Sequence, residues 1–78
     1  MKILVYALKS IGRNYLYIGM TNDLVRRKMQ HDSGRERTTR AYAPFQLLYA
    51  EEHNNRSDAR KQEKYLKSGT GREWLKNL

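Results

Sequence analysis

Apolar positions fall into separable runs along the chain, and their spacing changes from run to run. Lys2 to Leu8 and Tyr15 to Met20 are β-rich and apolar at successive positions, as strands covered on both faces should be, with Gly12 in the turn between them. From Asn22 the spacing becomes helical. Thr21 or Asn22 can cap a helix with Asp23 in its first turn, Val25 and Met29 as its buried face and Gly34 as its stop, which predicts a helix over about residues 22 to 33. Pro44 opens a third strand, Phe45 to Glu51, with Phe45, Leu47 and Tyr49 on one face and Gln46, Leu48 and Ala50 on the other. Its place in the sheet stays open. Asn54-Asn55 marks a turn, after which Ser57 can cap a second helix that carries Asp58 in its first turn and ends at Gly69. Thr70-Gly71-Arg72-Glu73 has capping-box spacing and opens a short helix in which Trp74 and Leu75 can dock the C-terminus. The order ββαβαα predicts an α+β fold: a small three-stranded antiparallel sheet flanked by three helices.

With 78 residues, one domain is expected over 1–78, near the lower size limit for a self-sufficient core. Charge narrows the function classes more than length does. Sixteen Lys and Arg against eight Asp and Glu give a formal charge of +8, a field that attracts polyanions, nucleic acid before an acidic membrane surface. No apolar run is long enough for a spanning helix. The opening Met-Lys-Ile-Leu-Val-Tyr-Ala-Leu stops at Lys9 with no small-residue cleavage site after it, so a cytoplasmic protein is expected rather than a secreted one. The absence of Cys removes disulfides, thiol chemistry and cysteine-zinc sites. Asp32 to Arg40, polar and carrying Arg35, Arg37 and Arg40, is expected to be a mobile loop.

Candidate chemistry begins in the first hairpin. A register pairing Leu8 with Tyr15 also pairs Tyr6 with Tyr17, which would set two phenols about 4.5 to 5.5 Å apart on one face. Lys9, Arg13, Arg26, Arg27 and Lys28 flank them, a plausible seat for a phosphate. On the first helix Leu24, Arg27, Lys28 and His31 follow i, i+3, i+4, i+7 spacing, so Arg27 and His31 share a face. On the second, Ala59, Glu63 and Leu66 set one carboxylate in a small, apolar stripe. Each residue also has a plainer role: Arg27 as a snorkelling side chain, His31 as a dipole complement, Glu63 as the i,i+4 partner of Lys67, the tyrosines as packing. Their joint occurrence suits phosphodiester cleavage, which needs a water, a proton acceptor, a cation on the developing charge and often a divalent metal. Arg27 offers a permanently charged fork to phosphate oxygens. Glu63 offers one hard oxygen ligand, enough for Mg²⁺, which keeps several waters. Tyr6, Tyr17 and His31 remain for hydrogen bonding and proton transfer, with Lys9 a candidate to lower a phenol's pKa.

At these residues the chain resembles the GIY-YIG nuclease family, in particular its short freestanding members, and is similar to the N-terminal nuclease domain of the excision-repair incision protein. The ordered match runs from Val5-Tyr6, Leu8-Lys9-Ser10 and Tyr17-Ile18-Gly19 through Thr21, Leu24, Arg27 and His31. It continues through Thr39-Arg40, Pro44, Leu47, Tyr49 and Glu51 to Ser57, Ala59, Glu63 and Lys67. The first string reads Leu4-Val5-Tyr6 in place of Gly-Ile-Tyr and keeps the tyrosine. The resemblance implies a three-stranded antiparallel sheet with flanking helices and hydrolytic DNA strand cleavage, in repair or recombination. It also implies Arg27 as the phosphate-stabilising residue and one Mg²⁺ or Mn²⁺ ion on Glu63. Tyr6, Tyr17 and His31 stay open as the base. DNA is the expected partner, single-stranded, duplex or branched, contacted by Lys9, Arg13, Arg26, Lys28, Arg35, Arg37 and Arg40. Specificity is expected from the chain's own loops, from self-association or from a protein partner. A non-catalytic basic module binding phosphates and stacked bases is the alternative; Glu63 discriminates, since a carboxylate repels phosphate and gives a pure binder nothing.

Overall fold

A computed structural model of the chain describes residues 2–78. Its elements are β1 (Ile3–Ser10), β2 (Leu16–Thr21), α1 (Leu24–Asp32), a 3-10 turn (Arg40–Tyr42), β3 (Phe45–His53), α2 (Arg56–Lys67) and α3 (Gly69–Lys76). The strands form one antiparallel sheet in the order β2-β1-β3, so the α+β class and the ββαβαα order agree with the sequence reading. Placing β1 in the middle explains why it is apolar at successive positions: both its edges are paired and both its faces are covered.

Alternation along β1 divides the molecule. Ile3, Val5 and Ala7 turn to one face, where they meet Leu16 and Ile18 of β2, Ala59 and Leu66 of α2 and Leu75 of α3. Tyr6 and Leu8 turn to the other and meet Phe45, with Tyr15, Tyr17, Leu24 and Tyr42 packed around them. Helices α2 and α3 therefore cover one face and α1 the other. Val5, Leu8, Leu66 and Leu75 are fully buried; truncating any of the three leucines to Ala costs about 2–5 kcal/mol, a large share of the roughly 5–15 kcal/mol that holds a domain folded.

Three local expectations are corrected. The alternation expected for β3 breaks at a bulge, because Ala7 pairs with Tyr49 and Leu8 with Leu47, leaving Leu48 unopposed. Phe45 consequently packs with Tyr6 and Leu8, while Leu48 and Tyr49 pack against the opposite cluster. The helix caps also move. Asp23, not Thr21 or Asn22, caps α1 by accepting from Arg26 N at 3.1 Å, Asn55 rather than Ser57 caps α2, and Ser68 rather than Thr70 caps α3. Gly71 is needed where α3 turns back onto α2, since a Cβ there would collide with Tyr65 O and Leu66 Cα. Finally, Val25 and Met29 are not the buried face of α1: they are 73% and 65% exposed, and the helix turns Leu24 and His31 inward instead.

The segment expected to be a mobile loop is tied down. Gly34 takes φ 76°, the left-handed conformation that ends α1, and Arg35 N donates to Gln30 O at 3.1 Å. Asp32 anchors both ends of the connection, accepting from Phe45 N at 2.8 Å and from Lys28 Nζ at 2.6 Å. Burial pushes the Asp32 carboxyl up, but the Lys28 and Phe45 hydrogen bonds outweigh it and hold the group below its ordinary range. No helix among the described residues is long and apolar enough to cross a membrane.

Candidate active site

Leu8 pairs with Tyr17 and Tyr6 with Gly19, so the hairpin register is two residues away from the expected one. A shift of two preserves the alternation, and Tyr6 and Tyr17 still share a face. They meet diagonally rather than head-on, with ring centroids 6.1 Å apart and planes tilted by 41°. Gly19 makes this possible: a Cβ there would lie 2.8 Å from Tyr6 Oη and 3.1 Å from Tyr17 Cε1, so both rings fill the space a side chain would take.

Helix α1 brings His31 under the two phenols. The imidazole is fully buried, its centroid 4.6 Å from the Tyr17 ring and 5.9 Å from that of Phe45. Nε2 hydrogen-bonds Tyr6 Oη at 3.2 Å and Nδ1 hydrogen-bonds Thr39 Oγ1 at 2.8 Å, so a chain of polar groups runs through the core. Thr39, also fully buried, comes from the loop after α1. Burying four polar side-chain atoms here is tolerable because they satisfy one another.

Arg27 lies one turn before His31 and reaches solvent. Its guanidinium donates to Gln30 Oε1 at 2.9 Å and pairs with Glu36 Oε2 at 3.4 Å, its side chain about one-third exposed. Burial lowers the Arg27 pKa, but the neighbouring Tyr6 and Tyr17 hydroxyls outweigh it and raise it. Burial, then the neighbouring Tyr17, push the Tyr6 phenol up to about 12, and the hydrogen bond and charge of Arg27 only partly oppose this. Burial, then the charge of Arg27, lower the His31 pKa, with Glu36 and Asp32 opposing. At neutral pH Tyr6 is therefore a protonated phenol and His31 a neutral imidazole.

The remaining candidates separate. Glu63 lies away from the sheet face of the tyrosines, because its helix packs on the opposite face. It has a place at the sheet edge nonetheless. Gln62 reaches Tyr49 Oη on β3 at 3.1 Å, whereas Arg56 lines a cavity of about 230 Å³ with Ile3, Met20, Thr21 and Asn22. Glu63 follows Arg56 by two helical turns and so shares its flank, toward the edge strand β2. Its side chain is 16% exposed and pairs with Lys67 Nζ at 3.4 Å, the plain role noted above. Among the described residues no three His, Asp or Glu side chains converge as a metal cage. A single carboxylate fits only an ion that keeps most of its waters, as Mg²⁺ does. Lys9 cannot tune Tyr6, because alternation points it to the other face, beside Leu16, Leu48 and Leu75. Lys28 is engaged with Asp32, while Arg13, Arg26, Arg35, Arg37 and Arg40 are exposed.

A cavity of about 260 Å³ opens at the start of α1, lined by Thr21, Asn22, Asp23, Arg26, Arg27 and Gln30. It shares Thr21 and Asn22 with the cavity beside Arg56, so the two meet around the end of β2. The larger hollow, about 440 Å³, lies on the outward face of α1 between Val25, Met29 and Arg35 and includes neither tyrosine. Gly19 and Thr39 entered the sequence reading only as matched positions, and Glu36 not at all. Glycine inside the apolar string Tyr17-Ile18-Gly19 was a usable signal of close approach; nothing in a polar loop marks Thr39 as buried or Glu36 as the partner of Arg27.

Residues 2–77 match the GIY-YIG catalytic domain. A UPF0213 protein of Oceanobacillus iheyensis is 36% identical over 64 residues, covering 81% of this chain and 73% of that protein. One of Bacillus pumilus is 41% identical over 66 residues, covering 83% of this chain and 66% of that protein. The solution NMR structure of a UPF0213 protein from Bacillus halodurans superposes with a TM-score of 0.59 at 31% identity, over 100% of this chain and 85% of that one. By sequence match and by fold alike, the chain belongs to the GIY-YIG catalytic domain family.

Proposed function

We propose that the protein is a metal-dependent endonuclease that hydrolyses DNA phosphodiester bonds. The observation that carries this reading is Arg27: a solvent-reaching guanidinium beside two phenols, one of them hydrogen-bonded to a buried neutral imidazole. Its planar fork suits two oxygens of one phosphate, and the pairing strengthens as charge accumulates in the pentacoordinate transition state.

Exposure supports roles for the other parts. Tyr6 and His31 are fully buried, whereas Tyr17 is half-buried, so Tyr17 is the phenol that meets the attacking water. As the water loses its proton to Tyr17 Oη, Tyr17 passes its own proton to Tyr6 and Tyr6 passes its own to His31 Nε2. The net transfer is one proton from water to the imidazole, and no free phenolate is required. Thr39 holds the ring in position from the other nitrogen. Glu63 would hold one Mg²⁺ or Mn²⁺ ion at the β2 edge once Lys67 gives way. Such an ion supplies charge neutralisation on the phosphate and on the leaving oxygen.

The test is a nicking assay on single-stranded, duplex and branched DNA with Mg²⁺ present. Arg27→Ala is expected to cleave at least about a hundredfold more slowly at saturating DNA, the scale of one lost transition-state donor. Arg35→Ala, Arg37→Ala and Arg40→Ala are expected to lose affinity instead, each reducing the slope of log K against log salt by roughly one on duplex DNA. Cleavage by Arg27→Ala at the wild-type saturated rate would contradict its assignment.

A further inference from the structure

A second aromatic pair lies at the other end of the hairpin. The rings of Tyr15 and Tyr42 stack face to face, centroids 3.9 Å apart and planes 6° from parallel, and both residues are half-buried. The Arg13 guanidinium sits 5.9 Å from the Tyr42 centroid. On its other flank Tyr15 borders a cavity of about 230 Å³ with Asn14, Leu16, Arg72 and Lys76, several times the roughly 30 Å³ that one water occupies. Among the described residues no carboxylate lies within ion-pair distance of Arg13, Arg72 or Lys76.

This corner is held rigidly. Buried Ser10 donates through Oγ to Tyr42 O at 2.6 Å and accepts from Arg13 N at 3.2 Å, and Ile11 N donates to Pro44 O at 3.1 Å. Tyr42 N bonds Thr39 O at 2.9 Å, which ties the stack to the residue that positions His31. Tyr15 and Tyr17 are alternate residues on one face, about 7 Å apart along the chain, so the stack adjoins the phosphate seat at Arg27.

We propose that Tyr15 and Tyr42 form a seat for one unpaired nucleobase of a single-stranded DNA segment, with Arg13, Arg72 and Lys76 on the neighbouring phosphates. The chemistry fits no duplex, because a paired base has both faces covered by its neighbours whereas an unpaired one offers a free π-face to a pre-built aromatic platform. Cations without a carboxylate partner beside that platform match the sugar-phosphate backbone on either side of the base, with Arg72 positioned by its bond from Nε to Lys67 O at 3.2 Å. The proposal rests on the chain acting on DNA, not on its cutting it.

The experiment measures binding of a labelled oligothymidylate and of a duplex to the full chain in EDTA, where cleavage does not intervene. Tyr15→Leu, which keeps apolar bulk, is expected to bind the single strand roughly 5- to 150-fold more weakly, with duplex affinity unchanged and Tyr15→Phe like the wild type. A 2-aminopurine in the single strand is expected to lose fluorescence on binding the wild type, and less so on binding Tyr15→Leu. Wild-type single-strand affinity in Tyr15→Leu, equal losses on both DNAs, or unchanged 2-aminopurine fluorescence at saturation would each overturn the seat. Single-strand binding through Tyr15 without cleavage in Mg²⁺ would leave the seat standing and the nuclease reading refuted.

Discussion

Gly19 faces Tyr6 directly across the β1–β2 pair, and the Tyr6 hydroxyl occupies the space where a Cβ on residue 19 would lie, at 2.8 Å. Gly19→Ala must displace the Tyr6 ring, which is fully buried and hydrogen-bonded to His31. The expected cost is about 1–3 kcal/mol, that of one extra methyl in a packed interior. Urea unfolding measures that cost, and the His31 ring resonances report the displaced phenol. A variant as stable as the wild type with unchanged His31 resonances would mean that Tyr6 has room to spare.

The buried imidazole sets a pH dependence. His31 has a lowered pKa in the fold, so between its ordinary value near 6.5 and that lower value the unfolded chain binds a proton that the folded chain does not. Stability from neutral His31 is complete above the ordinary value and is lost as pH falls through the folded one. Unfolding free energies taken between about pH 8 and about pH 5 should therefore decline in the wild type and stay flatter in His31→Gln. Thr39→Val, which removes the hydroxyl on Nδ1, should cost about 1–3 kcal/mol at neutral pH, the penalty of an unmatched buried polar atom. Parallel pH profiles for wild type and His31→Gln would place the titrating group elsewhere.

On the proposed nuclease reading, Glu36 competes with the substrate phosphate for Arg27. Its carboxylate pairs with Arg27 at 3.4 Å, where a phosphate oxygen would bind, and incoming DNA must displace it. Both partners are about one-third exposed, so the pair itself contributes little to stability. Glu36→Gln should fold as the wild type does and bind DNA severalfold more tightly at low salt, with the advantage shrinking as salt screens the competing charge. Weaker binding by Glu36→Gln would mean that the carboxylate orients Arg27 rather than occupying it.

Much of this was legible because the periods are simple. The shared face of Tyr6 and Tyr17 survived a wrong turn length, since a two-residue slip keeps every side chain on its side of the sheet. The turn itself was not readable: its ends are fixed by Ser10 and Pro44, one outside the turn and the other on a distant segment. Val25 and Met29 looked buried because apolar residues usually are; the paired hydrogen bonds of His31 and its contacts with three aromatic rings set the rotation of α1 instead. Helical spacing put Glu63 in the stripe of Ala59 and Leu66, but no pattern within one helix says which sheet face that stripe will cover.

In the proposed nuclease, Glu63 is the residue on which catalysis and mere binding part company, because a carboxylate beside DNA opposes binding unless a cation bridges it. Glu63→Gln keeps the size and the helix propensity and loses only the charge. The decisive measurement is its Mg²⁺-dependent nicking rate beside its DNA affinity by gel shift. The account expects cleavage to be abolished and binding to be equal to or tighter than that of the wild type; undiminished cleavage by Glu63→Gln would contradict it.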